Sequence, residues 1–203
     1  FILEDMYPKT INNLIESFKY FPGVGEKTAE RLAFSLLNMD PTQIEFLSKS
    51  VLDVNKKIKR CVKCNNFSED DLCNICKDDI RNHDILCVVE DPKTVYSIEK
   101  LGIFNGEYHV LNGLISTIDA FDPDKIMLNK LIDRLNNYNY KEIVIAVKPC
   151  IEGEMTAMYI KSVLADRNIK ISRIASGIPM GADMEYVDAL TLEQAFDNRK
   201  DIS

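Results

Sequence analysis

Residues 84–101, DILCVVEDPKTVYSIEKL, decide the fold class because they join a buried strand directly to a helix. The run ILCVV (85–89) is apolar throughout and bounded by charged residues, which is typical of a strand buried on both faces. The segment EIVIAV (142–147) has the same character. Further strands are predicted at 108–111 and 170–175, and helices at 92–101, 126–138 and 154–167. Because strands alternate with helices, the sequence predicts an α/β domain with a parallel sheet and right-handed crossovers.

The segments on either side of this domain are predicted to be helical. Apolar residues recur at helical spacing over 8–20, 26–38 and 41–59, and the residues FPGVGE separate the first two runs. A short helix is predicted in the C-terminal tail from Thr191 onward. The chain is therefore expected to be an α/β protein of several domains.

The composition is that of a folded protein: of 203 residues, 46% are hydrophobic and 28% are charged. The net charge of −7 excludes a uniformly basic nucleic-acid-binding surface. Residues 1–64 carry a net charge of +2 and residues 65–203 carry −9, so we expect one surface for an anion and another for a cationic partner. No apolar run reaches the roughly 18 residues that span a membrane. The acidic N-terminus is unlike a secretory signal peptide, so we expect a cytoplasmic protein.

The segment FPGVGEKTAERLAF (21–34) predicts a site for a phosphate. Gly23 and Gly25 permit backbone conformations that other residues avoid and let a partner approach the main chain. The following helix offers free N–H groups and the positive end of its dipole. Lys27 and Arg31 are four residues apart, so they share a helix face and can flank the phosphate. The pattern resembles a helix-hairpin-helix motif, which contacts DNA without reading bases. The alternative is an ordinary turn between two helices.

Four cysteines form two C-x-x-C pairs: Cys61, Cys64, Cys73 and Cys76. Four thiolates suit tetrahedral zinc, and because the protein fills every position, the zinc would be structural. The alternatives are free thiols or an iron site. Basic residues crowd the first pair, at Lys56, Lys57, Lys59, Arg60 and Lys63. They either contact nucleic acid or form a solvated helix end.

Acidic residues follow the two buried strands. Glu90 and Asp91 come after the first, and Glu152 and Glu154 come just after the second. Open parallel sheets place their sites at such strand ends. If residues 149–153 form an extended loop, residues two apart point the same way, and the carboxylates could hold Mg²⁺. The alternative is that Glu152 and Glu154 only cap the next helix.

These motifs, in this order, resemble the bacterial RecR family of recombination mediators over essentially the whole chain. The resemblance is carried by FPGVGEKTAERLAF, the four-cysteine loop, LCVVEDPKTV, YHVLNGLIS, KPCIEGEMTAMYI and GIPMGADMEYVDALTL. It implies a helix-hairpin-helix domain (1–55), a four-cysteine zinc finger (56–83), a Toprim domain with a parallel sheet (84–178) and a C-terminal helical tail (179–203). Four positions depart from the family's usual pattern, at Asn112, Thr117, Lys148 and Ala182.

The resemblance also implies a function without catalysis. Such proteins form tetrameric rings that encircle single-stranded, duplex or gapped DNA, and they associate with the nucleoid when bound. With RecO, and in many bacteria RecF, they help RecA to replace single-strand-binding protein at gaps. By similarity, Gly23, Gly25, Lys27 and Arg31 would contact DNA. Glu90, Glu152 and Glu154 would form the acidic surface that binds RecO.

Two other functions remain as alternatives at this point. Toprim nucleases use a glutamate and an Asp-x-Asp pair for Mg²⁺-dependent phosphoryl chemistry. In this sequence Glu152-Gly153-Glu154 replaces the Asp-x-Asp pair, and Lys148 adds a positive charge nearby. The other alternative is an assembly module that owes its DNA affinity entirely to its partners.

Overall fold

The chain divides into two compact units, Phe1–Ile58 and Lys59–Ser203. The structure, a computed structural model, describes residues 7–116, 126–175, 177–199 and 201, so Thr117 lies outside the described residues.

The first unit consists of three helices: α1 (Lys9–Lys19), α2 (Glu26–Leu37) and α3 (Pro41–Lys57). The α1–α2 pair packs around Ile15, Ala29 and Ala33, and the two small alanines bring the helices close together. Asp40 caps α3 by accepting a hydrogen bond from the Thr42 N–H at 2.8 Å. No residue of α3, which is described throughout, is buried. The core of this unit is therefore the α1–α2 hairpin.

The second unit begins with the cysteine segment. Its strands β1 (Lys59–Arg60) and β2 (Phe67–Ser68) pair antiparallel, and a one-turn helix, α4 (Asn74–Lys77), follows. The cysteine side chains provide most of the buried apolar contacts here. Such a segment has too little core to be stable by hydrophobic burial alone.

A four-stranded parallel sheet forms the rest of the second unit, in the order β4-β3-β5-β6. Its elements in chain order are β3 (Asn82–Val89), α5 (Pro92–Leu101), β4 (Gly106–Val110), α6 (Leu128–Asn137), β5 (Glu142–Ala146), α7 (Ile151–Val163) and β6 (Lys170–Arg173). A 3-10 turn (Met184–Tyr186) and α8 (Ala189–Asp197) follow. The predicted parallel sheet is confirmed. The helix predicted at 154–167 begins earlier, at Ile151.

The strand β3 is apolar over 85–89 because both of its faces are covered there. Leu86 and Val88 pack into the larger core, together with residues of α6 and α7. Cys87 and Val89 face the opposite side, where Val95 of α5 covers them. Cys87 is 2% exposed, and burial raises the pKa of its thiol to about 12, so it packs as a small apolar residue.

His109 on β4 is an exception to the apolar core. It is 1% exposed, and its Nε2 lies 3.2 Å from the carbonyl oxygen of Met127. Its Nδ1 has no hydrogen-bond partner among the described residues. Burial lowers the pKa of His109 to about 4, and the positive charge of Arg134 acts in the same direction. The fold therefore favours the neutral imidazole.

Acid should destabilise the protein through His109. The cost is absent well above pH 6.5, grows as the pH falls below 6.5, and levels off below pH 4. At about pH 4.5 the protein should lose roughly 2 to 3 kcal/mol of unfolding free energy by this route. His109→Leu should remove that loss, as measured by urea unfolding of both proteins at about pH 7.5 and about pH 4.5. Parallel pH profiles for the two proteins would contradict the assignment, since every other acid-sensitive group is common to both.

Candidate functional site

The turn between α1 and α2 is built by Gly23. Its φ of +81° lies in the left-handed region, which glycine adopts without strain, and the Val24 N–H donates to the carbonyl oxygen of Phe21 at 3.0 Å. Gly25 differs from the expectation, because its φ of −86° is open to other residues. Apart from its own chain neighbours, no described residue would have a heavy atom within 4 Å of a Cβ at Gly25. The fold itself therefore does not require glycine at position 25, and the space beside its backbone is open to a partner.

The start of α2 presents free hydrogen-bond donors beside that space. The carbonyl oxygen of Gly25 accepts bonds from Thr28 and Ala29, at 3.1 and 2.9 Å. No acceptor among the described residues takes a bond from the N–H groups of Gly25, Glu26 or Lys27. Free N–H groups at the positive end of a helix dipole favour an anion.

Two cations of α2 have no partner among the described residues. Lys27 and Arg31 are one helical turn apart, and neither forms an ion pair or a side-chain hydrogen bond with any described residue. Lys19 differs, because its Nζ lies 2.8 Å from both Glu16 and Glu26. The predicted pair of cations is therefore available to bind an external anion.

The four cysteines come together as predicted. Their Sγ atoms all lie within 4.8 Å of one another, and those of Cys64 and Cys73 are 3.5 Å apart. A tetrahedral zinc ion with Zn–S bonds of about 2.3 Å separates its sulfurs by about 3.8 Å. The cluster therefore fits such an ion. The ion would cross-link the two C-x-x-C pairs, and it would have no open coordination position because the four sulfurs fill all four. His83 lies apart from this role, since its Nδ1 contacts Glu107 at 2.8 Å.

The cysteine loop is joined to the sheet through the end of β4. The Val110 N–H donates to the carbonyl oxygen of Cys64 at 2.8 Å, and the Asn65 amide donates to the carbonyl oxygen of Val110 at 2.9 Å. Arg60 donates to the side chain of Asn112 at 2.8 Å. Asn112 has a φ of +65°, a region that asparagine tolerates, which explains how it stands where the family pattern commonly has glycine.

A buried carboxylate strengthens the same junction, and sequence reasoning missed it. Glu107 of β4 is 3% exposed and accepts bonds from Arg134 and Tyr140 at 2.5 Å and from Lys63 at 2.6 Å. Burial alone would raise its pKa, but bonds from Lys63, Tyr140 and His83 outweigh burial and lower the pKa to about 2. The carboxylate is therefore ionised and paired. The sequence offers one signal for this role: Glu107 is the only acidic residue of β4, and all residues of that strand are buried.

The basic residues around the first cysteine pair are mostly occupied within the chain. Lys57 pairs with Asp53 at 2.9 Å, and Lys59 pairs with Asp71 at 2.6 Å. Lys63 pairs with Glu107, and Arg60 with Asn112. These contacts favour a structural role over nucleic-acid binding for this run.

The acidic residues after β5 are arranged differently from the extended-loop hypothesis. Glu152 and Glu154 lie in the first turn of α7, where residues two apart do not share a face. Glu154 forms an ion pair with Arg173 at the end of β6. Gly153 lies so close to the preceding loop that a Cβ would stand 2.0 Å from the carbonyl oxygen of Lys148. Glycine is required there, and neither Gly153 nor Arg173 was singled out from the sequence.

A cavity of about 280 Å³ lies at the carboxyl ends of the strands and has walls of mixed charge. Glu90, Lys148 and Arg173 all line it. Asp91 is occupied as the cap of α5, accepting from the Lys93 and Thr94 N–H groups at 2.7 and 3.1 Å. Among the described residues, only the cysteines form a group of three or more ligand side chains close enough to hold an ion. The structure thus does not assemble Glu90, Glu152 and Glu154 into a magnesium site.

Comparison with known protein families assigns each part of the chain. The model of the RecR helix-hairpin-helix matches residues 11–54, and that of the RecR four-cysteine zinc finger domain matches 58–78. A Toprim domain matches residues 84–175, and the RecR C-terminal model matches 177–200. The chain belongs to the RecR family. The expected fold class, with its helix-hairpin-helix, cysteine and Toprim regions, is therefore confirmed.

Curated relatives of the RecR family match the chain over nearly its full length. The Recombination protein RecR of Natranaerobius thermophilus is 44% identical over 196 residues, which cover 97% of this chain and 98% of that protein. The proteins of the same name from Acidothermus cellulolyticus and Streptomyces avermitilis are 42% and 40% identical, over 97% and 96% of this chain and 99% and 98% of their own. The family supports a role in recombination and repair, DNA binding and a structural zinc. No helix in the described part of the chain is long and apolar enough to cross a bilayer.

Removing one cysteine ligand should loosen the edge of the sheet as well as the metal centre. We expect Cys73→Ser to lose its zinc, as measured by metal analysis. We also expect about tenfold faster exchange of the Val110 amide hydrogen, because that amide bonds to Cys64. Cys150→Ser, which changes a half-buried cysteine outside the cluster, is the matched control and should keep one zinc per chain. A Cys73→Ser protein with full zinc content and unchanged exchange would contradict the structural role.

Proposed function

We propose that this protein is a recombination mediator that binds DNA as a ring-shaped, tetrameric clamp. It acts with RecO, and with RecF where that partner takes part, to load RecA onto gapped single-stranded DNA coated by single-strand-binding protein. The observation that carries the proposal is at the hairpin, where open space beside Gly25 precedes the free N–H groups at the start of α2, and Lys27 and Arg31 follow on that helix with no partner among the described residues. A phosphate of the DNA backbone fits that chemistry.

The proposed organisation assigns one task to each segment. Residues 1–55 contact DNA through Gly23, Gly25, Lys27 and Arg31. Residues 56–83 hold a structural zinc through the four cysteines. Residues 84–178 form the partner-binding Toprim domain, and residues 179–203 form a tail. The protein works in the cytoplasm and joins the nucleoid when bound to DNA.

The acidic surface of the Toprim domain is proposed to bind RecO. Glu90, Glu152 and Glu154 lie at or just beyond the carboxyl ends of the strands, and residues 65–203 carry a net charge of −9. This charge favours encounter with a basic partner. Because Arg173 pairs with Glu154, a cationic side chain that docks on Glu154 competes with Arg173 for the same carboxylate.

We propose that this Toprim domain has no nuclease activity. The cavity at the strand ends places Lys148 and Arg173 beside Glu90, and two cations oppose the binding of Mg²⁺. Labelled gapped DNA incubated with the protein and Mg²⁺, then run on denaturing and native gels, separates the two functions. Intact DNA with a retarded native band supports the clamp. Cleavage that Glu90→Gln abolishes would establish the nuclease instead.

The DNA site is tested by removing both free cations of α2. We expect Lys27→Ala with Arg31→Ala to weaken binding to single-stranded DNA by about tenfold or more and to leave the oligomeric state unchanged. The slope of log affinity against log salt should become shallower by about 1.4, since each phosphate contact contributes about 0.7.

The matched control removes two exposed lysines of α3, Lys49 and Lys56, by substitution with alanine. It makes the same change in net charge and should bind DNA with almost unchanged affinity. Retained affinity in the α2 variant, or an equal loss in the control, would move the DNA site elsewhere.

The partner surface is tested by two substitutions with opposite expected effects. Glu154→Ala should weaken RecO binding in a calorimetric titration, because it removes a carboxylate from the surface. Arg173→Ala should strengthen binding by up to about fivefold, because an exposed ion pair is worth about 1 kcal/mol or less and breaking it frees Glu154. Two titrations identical to that of the unmodified protein would remove this surface from the RecO site.

A further inference from the structure

Two aromatic side chains stand exposed at the hairpin of the first unit. Tyr20 is 85% exposed and the adjacent Phe21 is 58% exposed. Two other aromatic rings of this unit contact each other instead: Tyr7 and Phe34 meet edge to face with their centroids 5.2 Å apart. Exposing two adjacent large apolar side chains gives up the stabilisation that burial would provide. Tyr20 is the C-cap of α1 and Phe21 follows it, so both residues belong to the turn between the two helices.

The aromatic pair lies at the same end of the hairpin as the anion site. The residue before Tyr20 is Lys19, and its Nζ lies 2.8 Å from Glu26, the residue before Lys27. On the other side, the carbonyl oxygen of Phe21 accepts the hydrogen bond from Val24 that closes the turn. Two short contacts therefore hold the aromatic residues next to the segment that presents the free N–H groups.

We propose that Tyr20 and Phe21 stack on unpaired bases of a DNA strand whose phosphates are held by the hairpin. This inference rests on the proposed DNA-binding function and adds a preference for single-stranded over intact duplex DNA. Phosphates are equally accessible in both forms of DNA, so contacts from N–H groups, Lys27 and Arg31 do not distinguish them. The faces of bases are open to an aromatic ring only where the strand is unpaired.

The charges around the pair favour a nucleic acid over another protein surface. An apolar protein partner would have to bury the free N–H groups and the unpaired Lys27 without compensation, at a cost in free energy. A single strand satisfies both features together, since its phosphates accept hydrogen bonds and its bases offer apolar faces. If a second copy of the chain bound this surface instead, substitution of Tyr20 would change the oligomeric state.

The test measures the binding of fluorescently labelled oligothymidylate and of a blunt duplex at one salt concentration, by anisotropy. We expect Tyr20→Ser to weaken binding of the single strand by about five- to a hundredfold, the range typical of losing one base–aromatic stack. Duplex affinity should stay within about twofold, and the salt slope should not change, because the phosphate contacts remain. Tyr20→Phe, which keeps the ring, should restore single-strand affinity.

Phe46→Ser is the matched control, since Phe46 of α3 is 75% exposed in the same unit. It should leave both affinities unchanged. Equal losses of single-strand and duplex binding in Tyr20→Ser, or no loss, would overturn the stacking role. A change in the oligomeric state of the Tyr20→Ser protein, measured by light scattering, would also overturn the stacking role and would assign the surface to a second copy of the chain. Because Lys27→Ala with Arg31→Ala lowers both affinities if the hairpin binds DNA, that variant shows separately whether the proposed function fails.

Discussion

The ionised carboxylate of Glu107 is the interaction on which the larger unit depends. It is buried in β4 and is compensated from α6 by Arg134 and from the cysteine segment by Lys63. Burying a lone charge costs several kcal/mol, so the carboxylate requires both partners to be in place. Arg134 also donates to the carbonyl oxygen of Tyr108 at 2.6 Å. The charge therefore fixes the cysteine segment, the edge strand and the covering helix together.

This junction explains how a structural metal can influence a surface that lies beyond it. Cys64 bonds to Val110 at the end of β4, and the N–H of Asn112 donates to the carbonyl oxygen of Glu90 at 2.8 Å. A short run of backbone bonds thus connects the cysteine loop with the strand ends that carry the acidic surface. Metal ligation in such a segment is coupled to its folding, so we expect loss of the metal to loosen the cysteine loop first and the bonded strand ends after it.

The sequence predicted the features that depend on local pattern. The apolar runs at 85–89 and 142–147 predicted the parallel sheet, and the cysteine spacing predicted the cluster. It did not predict features that depend on distant pairs. Arg173 meets Glu154 only because β6 lies beside β5, and Glu107 is compensated only after three segments pack together. The extended-loop hypothesis for residues 149–153 is wrong because α7 already begins at Ile151. The requirement for glycine at position 153 depends on the nearby carbonyl oxygen of Lys148, and the sequence does not show that these two residues are so close.

The two glycines of the hairpin show how a fold leaves room for a ligand. Gly23 is explained by its own φ of +81°, so the turn needs it whether or not anything binds. Gly25 has an ordinary φ and nothing within 4 Å of a Cβ, so neither strain nor packing explains it. Open space next to the free N–H groups of Glu26 and Lys27 is what the proposed contact with a DNA phosphate requires.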